Sequence, residues 1–275
     1  MHCSFVVNEV IQHYTSQGSC VYIALLDATK AFDRIEYATL FKKLVAKGLC
    51  PLITRLLVNC YTQQRLRVRW NDSLSPEFSA SNGVKQGGVL SPLLFTTYLD
   101  ELLERLRNTR FGCHINAVYC GSFAYADTIL LSPTLQGLQR QLDVCERYAH
   151  DHNIKFNPSK TKLIECGSPP QTAPPPISFM GSNISWVQKD SHLGTLVGNA
   201  TMAERIEAGV RTFNSKVNML KCHFKYLPTD IMYTLFKMHC MPLYSCVLWD
   251  LAHPSINHFL TAWRKAPAHP EQDTQ

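Results

Sequence analysis

The sequence has few charged residues, no long apolar run and no closely spaced cysteines. Charged residues are 17% of the 275 positions, too few for a disordered acidic or basic tail. No apolar run reaches the ~18 residues that a membrane-spanning helix needs. Residues 1–15 contain Glu9 and no basic stretch of the kind that precedes a secretory signal. These absences predict an intracellular protein, in the nucleus or the cytoplasm.

The cysteines do not form a metal or disulfide pattern. There are 11 of them, an odd number, and no C-x-x-C pair occurs. Neighbouring pairs such as Cys113 and His114 do not supply two ligands at zinc-finger spacing. We therefore favour reduced thiols in an apolar core over zinc binding or disulfides, and we assign no structural metal.

Size and composition indicate one large globular domain or a main domain with a smaller one. Hydrophobic residues are 45% of the chain, enough to build a substantial core. The net charge is +6, from 27 basic and 21 acidic residues. This mild basicity permits a polyanionic partner without requiring one.

The order of apolar patterns predicts an α+β fold. A helix over 3–15 precedes a buried strand over 21–26, and two helices follow over 36–49 and 52–60. A glycine-rich loop over 82–88 leads into a long helix, and a hairpin is expected around 126–128. Thr134 is a candidate N-cap for the next helix. Strands near 162–166, 177–180, 184–187 and 193–197 and two C-terminal helices complete the pattern.

Three arginines alternate with apolar residues over 65–70. In a strand, this spacing places Arg65, Arg67 and Arg69 on one face, where they could contact the phosphates of a nucleic acid. A solvated strand face explains the same pattern.

Two aspartates occupy ends of predicted strands. Asp27 follows the buried strand and Asp127 lies at the turn of the hairpin. On one sheet they could together hold Mg²⁺, which prefers carboxylate and phosphate oxygens. Each aspartate taken alone also fits a turn or capping residue.

Three segments resemble, in order, the palm motifs of reverse transcriptases. They are residues 26–33 (LDATKAFD), 82–95 (NGVKQGGVLSPLLF) and 125–128 (YADT). Residues 156–162 (FNPSKTK) and 192–194 (HLG) are similar to the two later palm motifs of non-LTR, LINE-type retrotransposons. Group II intron maturases share the palm but are less similar at these last two places. Residues 235–249 resemble the region after the non-LTR palm, so the resemblance covers nearly the whole chain.

The resemblance implies a palm, an antiparallel sheet with helices on one face, over residues 1–198. A helical, thumb-like segment would follow over 199–275, and the fingers would be largely missing. It also implies partners and cofactors: an RNA template, a DNA primer, deoxynucleoside triphosphates, and Mg²⁺ or Mn²⁺.

The resemblance assigns roles to residues of this sequence. Asp27 and Asp127 would be catalytic, metal-binding carboxylates, and Lys160 would lie near the departing pyrophosphate. Phe32 would be the ring that excludes a 2′-hydroxyl. Gln86 and Gly87 would lie against the nascent base pair, and Tyr125 would be a further substrate-binding residue. His192 and Gly194 would belong to the turn that holds the primer.

One position departs from the family pattern. The catalytic turn of the family carries two adjacent aspartates, and the second position here is Thr128. A neutral hydroxyl is a poor Mg²⁺ ligand beside carboxylates. We therefore expect an inactive or impaired RNA-directed DNA polymerase domain. A non-catalytic nucleic-acid-binding protein derived from such a domain is the alternative, and a relic without a role is a third.

Overall fold

The computed structural model describes residues 2–124, 127–167 and 174–266. They form two compact units, residues 13–187 and residues 1–12 together with 188–275. Residues 188–198, expected in the palm, thus group with the C-terminal helices. The reason is that the strands at 189–192 and 195–198 pair only with each other and contact the first of those helices.

Eight α-helices lie in the described ranges. They are α1 His2–Ser16, α2 Tyr37–Ala46, α3 Pro51–Thr62, α4 Ser91–Asn108, α5 Leu135–Asp151, α6 Met202–His223, α7 Thr229–His239 and α8 Ile256–Arg264. The division between the two units falls within α1. As expected, Thr134 caps α5, because its hydroxyl accepts a hydrogen bond from the Gly137 amide at 3.1 Å. None of these described helices has the length and apolar character to cross a membrane.

The described strands are mostly short. They are β1 Val21–Leu26, β2 Arg69–Trp70, β3 Ser73–Leu74, β4 His114–Ile115, β5 Val118–Tyr119, β6 Ser122–Ala124, β7 Thr128–Ser132, β8 Lys162–Cys166, β9 Ser178–Phe179, β10 Ser182–Asn183, β11 Ser185–Val187, β12 Lys189–His192 and β13 Thr195–Gly198.

One sheet organises the unit of residues 13–187. Its order is β11-β8-β1-β7-β6, and every pairing is antiparallel except that of β11 with β8. The expected hairpin is present, since Ala124 of β6 pairs with Thr128 of β7. The prediction of an antiparallel palm-like sheet is therefore confirmed.

Helices cover one face of this sheet. Ala24 and Leu26 of β1 belong to a core cluster with Leu40 of α2, Leu102 of α4 and Leu142 of α5. The opposite face is buried as well at Val21, Ile23, Ile129 and Leu131. Burial on both faces explains why the first strand is apolar throughout instead of alternating.

A charged cluster joins the helices behind the sheet. The Glu101 carboxylate in α4 accepts hydrogen bonds from Lys43 of α2 and from Arg105 at 2.7 Å. These two cations, Lys43 foremost, lower the pKa of Glu101 to about 2. Tyr148 of α5 receives a hydrogen bond from Lys43 at 3.1 Å and donates one to the Tyr98 carbonyl at 2.6 Å. The cluster therefore ties α2, α4 and α5 together.

The other unit has its own core. Phe213 of α6 stacks on Trp263 of α8 at 5.7 Å between ring centroids and contacts Phe236 of α7 edge-on. Thr201 and Glu204 form a reciprocal capping box at the start of α6. The hairpin of β12 and β13 precedes this helix.

The arginine-rich segment differs from its prediction. Only Arg69 and Trp70 are in a strand, and the hairpin they form with β3 joins no larger sheet among the described residues. The expected apolar face is not buried, since Val68 is 55% and Trp70 78% exposed. The alternation predicted the extended backbone, but none of the described residues forms a layer that buries the apolar side chains of this hairpin.

Candidate functional site

The two aspartates lie side by side at the same end of two paired interior strands of the sheet. The ladder between β1 and β7 ends with Leu26 opposite Thr128, so Asp27 and Asp127 occupy the next position of the two strands. Partial burial raises the pKa of the Asp127 carboxyl, and the charge of Asp27 raises it further. This like-charge pair would be stabilised by a cation.

Thr128 belongs to the other face of the sheet. It pairs with Leu26, two positions along the ladder from the pair of Leu130 and Ala24. Those three apolar side chains lie in the core under the helices, and Thr128 is 3% exposed. Because successive side chains of a strand alternate, the Thr128 hydroxyl points away from the Asp127 carboxylate.

Lys160 is brought to the carboxylates by backbone pairing. The segment after β1 runs antiparallel to residues 155–157, with Ala28 opposite Phe156. The Asn157 amide donates to the Asp27 carbonyl at 2.8 Å. Lys160 follows in the same turn, and its ammonium lies 3.9 Å from the Asp27 carboxylate. This lysine is 68% exposed, so the ion pair is worth little to stability and leaves the ammonium accessible.

Phe32 packs against Phe95, a residue to which the motif assigned no role. Its ring stacks on Phe95 of α4, with centroids 4.9 Å apart and planes inclined by 25°. Phe95 is 2% exposed, whereas Phe32 is only partly buried. Phe95 is part of the 82–95 motif, but the motif does not predict that its ring stacks on the ring of Phe32.

The backbone around Phe32 is fixed by the glycine-rich loop. The Val84 amide donates to the Phe32 carbonyl at 2.9 Å. Gly83 adopts φ +90°, and a Cβ atom there would lie 3.0 Å from the Asp33 Cα and 3.1 Å from the Phe32 carbonyl oxygen. Only glycine fits this conformation and close approach without strain.

Phe32 and the glycine-rich loop line one cleft. Its volume is about 570 Å³, within the range of ligand sites, and its wall includes Phe32, Gln86, Gly87 and Pro92. The Gln86 carboxamide donates to the Asp33 carboxylate at 3.5 Å. The structure therefore brings together the residues predicted at the nucleotide, except Tyr125, which lies outside the described residues.

The predicted arginines are exposed but partly engaged. Arg67 pairs with Glu77 at 2.9 Å. Arg69 donates to the Asn71 carbonyl at 3.1 Å and lies 4.0 Å from Asp72. A role of Arg65, Arg67 and Arg69 in nucleic-acid binding stays a prediction.

His192 and Gly194 lie in the unit of the C-terminal helices and differ in exposure. His192 is 2% exposed, and burial lowers its pKa to about 4. Its buried ring cannot reach a phosphate in this conformation. Leu193 and Gly194 form the two-residue turn between β12 and β13, with φ values of +49° and +76°. Gly194 is exposed, so the turn backbone is the accessible part of this motif.

Two carboxylates fit a divalent cation, but no third ligand completes a cluster in the described ranges. No group of three or more His, Cys, Asp or Glu side chains that could hold a metal ion occurs there. The pair of Asp27 and Asp127 supplies the oxygen ligands that Mg²⁺ and Mn²⁺ prefer. The site is therefore compatible with a cation, and it has one carboxylate fewer than it would have with an aspartate at position 128.

Comparison with known proteins identifies similar sequences and one similar fold. The profile of the family described as "Reverse transcriptase (RNA-dependent DNA polymerase)" matches residues 3–184. The Pol polyprotein of the retrotransposable element R2DM of Drosophila melanogaster is 31% identical over 156 residues, which cover 56% of this chain and 15% of that protein. The probable RNA-directed DNA polymerase of the X-element of the same organism is 25% identical over 271 residues, 91% of this chain and 28% of that protein.

Among solved structures, apo telomerase of Candida tropicalis, truncated from its C-terminal domain, has a similar fold. The TM-score is 0.51 at 14% sequence identity, over 71% of this chain and 38% of that chain. At this identity the likeness concerns the fold alone. The chain spans less than a third of the two curated relatives named above.

Proposed function

The chain belongs to the reverse transcriptase (RNA-dependent DNA polymerase) family, in the form found in non-LTR retrotransposons, and from that premise we propose a role for its site. Members of this family use divalent metal ions. We propose that Asp27 and Asp127 hold Mg²⁺, or Mn²⁺ in its place, for nucleotide transfer to a DNA primer on an RNA template. The adjacent carboxylates, with the pKa of Asp127 raised beside Asp27, carry this proposal.

The bound cations would neutralise the negative charge that develops on the attacking and leaving oxygens. Lys160 would bind the polyphosphate of a deoxynucleoside triphosphate, since its exposed ammonium lies beside Asp27. Phe32 would restrict the sugar, because its ring and Gln86 line one cleft. Gln86 and Gly87 would face the nascent base pair, and Tyr125 is proposed as a substrate-binding residue from the motif alone.

We further propose that catalysis is impaired. Thr128 replaces the second aspartate of the turn and is buried on the helix side of the sheet, so it adds no ligand to Asp27 and Asp127. Loss of ~3 kcal/mol of transition-state stabilisation would lower the rate by roughly two orders of magnitude.

Primer extension on an RNA template tests the proposal, with Mg²⁺ and with Mn²⁺. We expect slow extension that Asp27→Ala abolishes and that Asp230→Asn leaves unchanged, since Asp230 is an exposed aspartate at the start of α7 with no predicted role in the site. Extension that persists in Asp27→Ala would contradict the assignment of the carboxylate site.

The second candidate is a non-catalytic nucleic-acid-binding protein. The orientation of Thr128, away from Asp27 and Asp127, favours this candidate. A site with only two carboxylates can lack catalytic turnover while the surface that binds nucleic acid is retained. No extension by folded protein, together with salt-dependent binding of an RNA–DNA hybrid that Asp27→Ala does not alter, would support this candidate over the polymerase.

A further inference from the structure

The backbone around Phe32 does not by itself fix the direction of its ring. Phe32 begins a 3-10 turn, Phe32–Arg34, in which no residue is buried. The Val84 amide donates to the Phe32 carbonyl at 2.9 Å, and Ile35, which is 1% exposed, holds the end of the turn in the core. These contacts position the backbone of Phe32 but leave its two side-chain torsions free. A neighbouring side chain must therefore select the rotamer of the ring.

Phe95 is that neighbour. Its ring stacks on the ring of Phe32, with centroids 4.9 Å apart and planes inclined by 25°. Stable aromatic pairs have centroid distances of ~4.5–7 Å, so the two rings are in close contact. Because their planes are nearly parallel, the orientation of the Phe95 ring determines the orientation of the Phe32 ring.

Phe95 is itself held in the core. It lies in the first half of α4, is 2% exposed and belongs to the core cluster beneath the sheet. Leu94 and Leu99, its neighbours on the same helix, are buried in that cluster too. A close-packed core keeps its side chains in single rotamers. Phe95 is therefore a rigid support for Phe32, which is only partly buried.

One of the two rings reaches the cleft of the glycine-rich loop, and the other stands behind it. The described residues that line the cleft include Phe32 and Gly87 but not Phe95. The wall that Phe32 forms can recede only if the ring behind it gives way, because a packed interior has low compressibility. The width of the cleft at Phe32 therefore depends on the side chain at position 95.

We propose that Phe95 is a positioning residue that sets the discrimination against a 2′-hydroxyl by fixing the ring of Phe32. The inference rests on the proposed function, in which Phe32 restricts the sugar. It goes beyond that function because it assigns the steric limit to a buried residue of α4 that does not line the cleft. A smaller, non-planar side chain at position 95 would let the Phe32 ring sink towards α4 and make room for a ribose.

Phe95→Leu and Phe95→Met test the proposal. Both replacements are apolar and somewhat smaller than phenylalanine, so the core should still form, but neither offers a flat face to Phe32. Leu106→Val is the matched control. Leu106 is fully buried on the same face of α4, about three turns and roughly 16 Å farther along the helix. Its replacement weakens the packing of α4 far from the two rings.

The measurement is single-nucleotide primer extension by the full chain with Mn²⁺, on an RNA template. It gives the ratio of kcat/KM for a deoxynucleoside triphosphate to kcat/KM for the matching ribonucleoside triphosphate. We expect Phe95→Leu to lower this ratio about fivefold, the factor that corresponds to the loss of one aromatic pair, and Phe95→Met to lower it as well. Leu106→Val should lower the urea midpoint but change the ratio less than about twofold. An unchanged ratio in both Phe95 variants, or an equal fall in Leu106→Val, would overturn the proposal.

The Phe32→Ala background shows whether Phe95 acts through Phe32. Once the ring of Phe32 is absent, adding Phe95→Leu should not lower the ratio further, because the two changes affect the same contact. A further fall in this background would mean that Phe95 acts on the sugar by another route, and it would overturn the proposal.

Urea unfolding in EDTA tests the pair of rings without any substrate. The double variant of Phe32→Ala and Phe95→Leu should lose less stability than the sum of the two single losses, because the rings share one contact. Additive losses would overturn the proposal. Coupled rings in a folded native chain that extends no primer would instead refute the proposed function, and with it the sugar role of Phe95. Failure of this inference alone and failure of the proposed function therefore give different results.

Discussion

Restoring the missing aspartate should destabilise the protein. Thr128 is 3% exposed and lies opposite Leu26, on the face of the sheet that packs against the helices. Thr128→Asp would place a carboxylate in this core. Leaving a buried polar group without partners costs ~1–3 kcal/mol, and more when the group is charged. We take ~2–3 kcal/mol as the expected loss in the free energy of unfolding.

Thermal unfolding with and without Mg²⁺ measures this loss. For a unit of this size, 1 kcal/mol corresponds to roughly 2–4 °C in Tm, so we expect Thr128→Asp to melt roughly 4–12 °C lower. Mg²⁺ should not recover the difference, because the new carboxylate points away from Asp27 and Asp127. Thr128→Val, an apolar replacement of similar shape, should melt within about 3 °C of the native chain.

One result would refute the reasoning. If Thr128→Asp melts like the native chain in EDTA and gains more stability from Mg²⁺ than the native chain does, its side chain shares the carboxylate site. Bound cation at 100 times its Kd adds about 2.7 kcal/mol, which is large enough to detect. The alternation argument would then fail at the first residue of β7.

Three further changes test the site and its support. Gly83→Ala should cost ~2–3 kcal/mol, since alanine disfavours φ +90° and its Cβ would press on the Asp33 backbone; equal urea midpoints for the variant and the native chain would contradict this. Asp127→Asn should raise stability at neutral pH in EDTA. The folded pKa of Asp127 lies above the ordinary 3.8, so its ionisation penalty appears as pH rises through that raised value and vanishes in acid. Urea unfolding at pH 7 and in acid checks this, and a gain that persists in acid would be inconsistent with the charge argument. Glu101→Gln should lose ~1 kcal/mol at neutral pH after allowance for solvent screening; because the folded pKa is about 2 against 4.5, the native chain should lose this advantage as pH falls from 4.5 towards 2, and a pH-independent difference would refute it.

Much of the fold followed from local sequence. The apolar run before Asp27 predicted β1, because a strand buried on both faces needs apolar residues throughout. Thr134 predicted the start of α5, because its hydroxyl satisfies an amide of the first turn. The motifs predicted which residues lie near the two aspartates, and Lys160 does lie beside Asp27. Each of these inferences depends on chain geometry within a few residues or on the order of motifs.

The sequence by itself determined most of the long helices, the strand before Asp27 and the order of the motifs, but it predicted two C-terminal helices where the structure has α6, α7 and α8. Only the tertiary structure decided the face of the sheet to which Thr128 belongs, the burial of His192 and the stacking of Phe95 beneath Phe32. The same holds for the uncovered arginine hairpin. The physical reason is that ladder register and side-chain packing join residues far apart in the chain, and a local pattern carries no information about the partner it will meet.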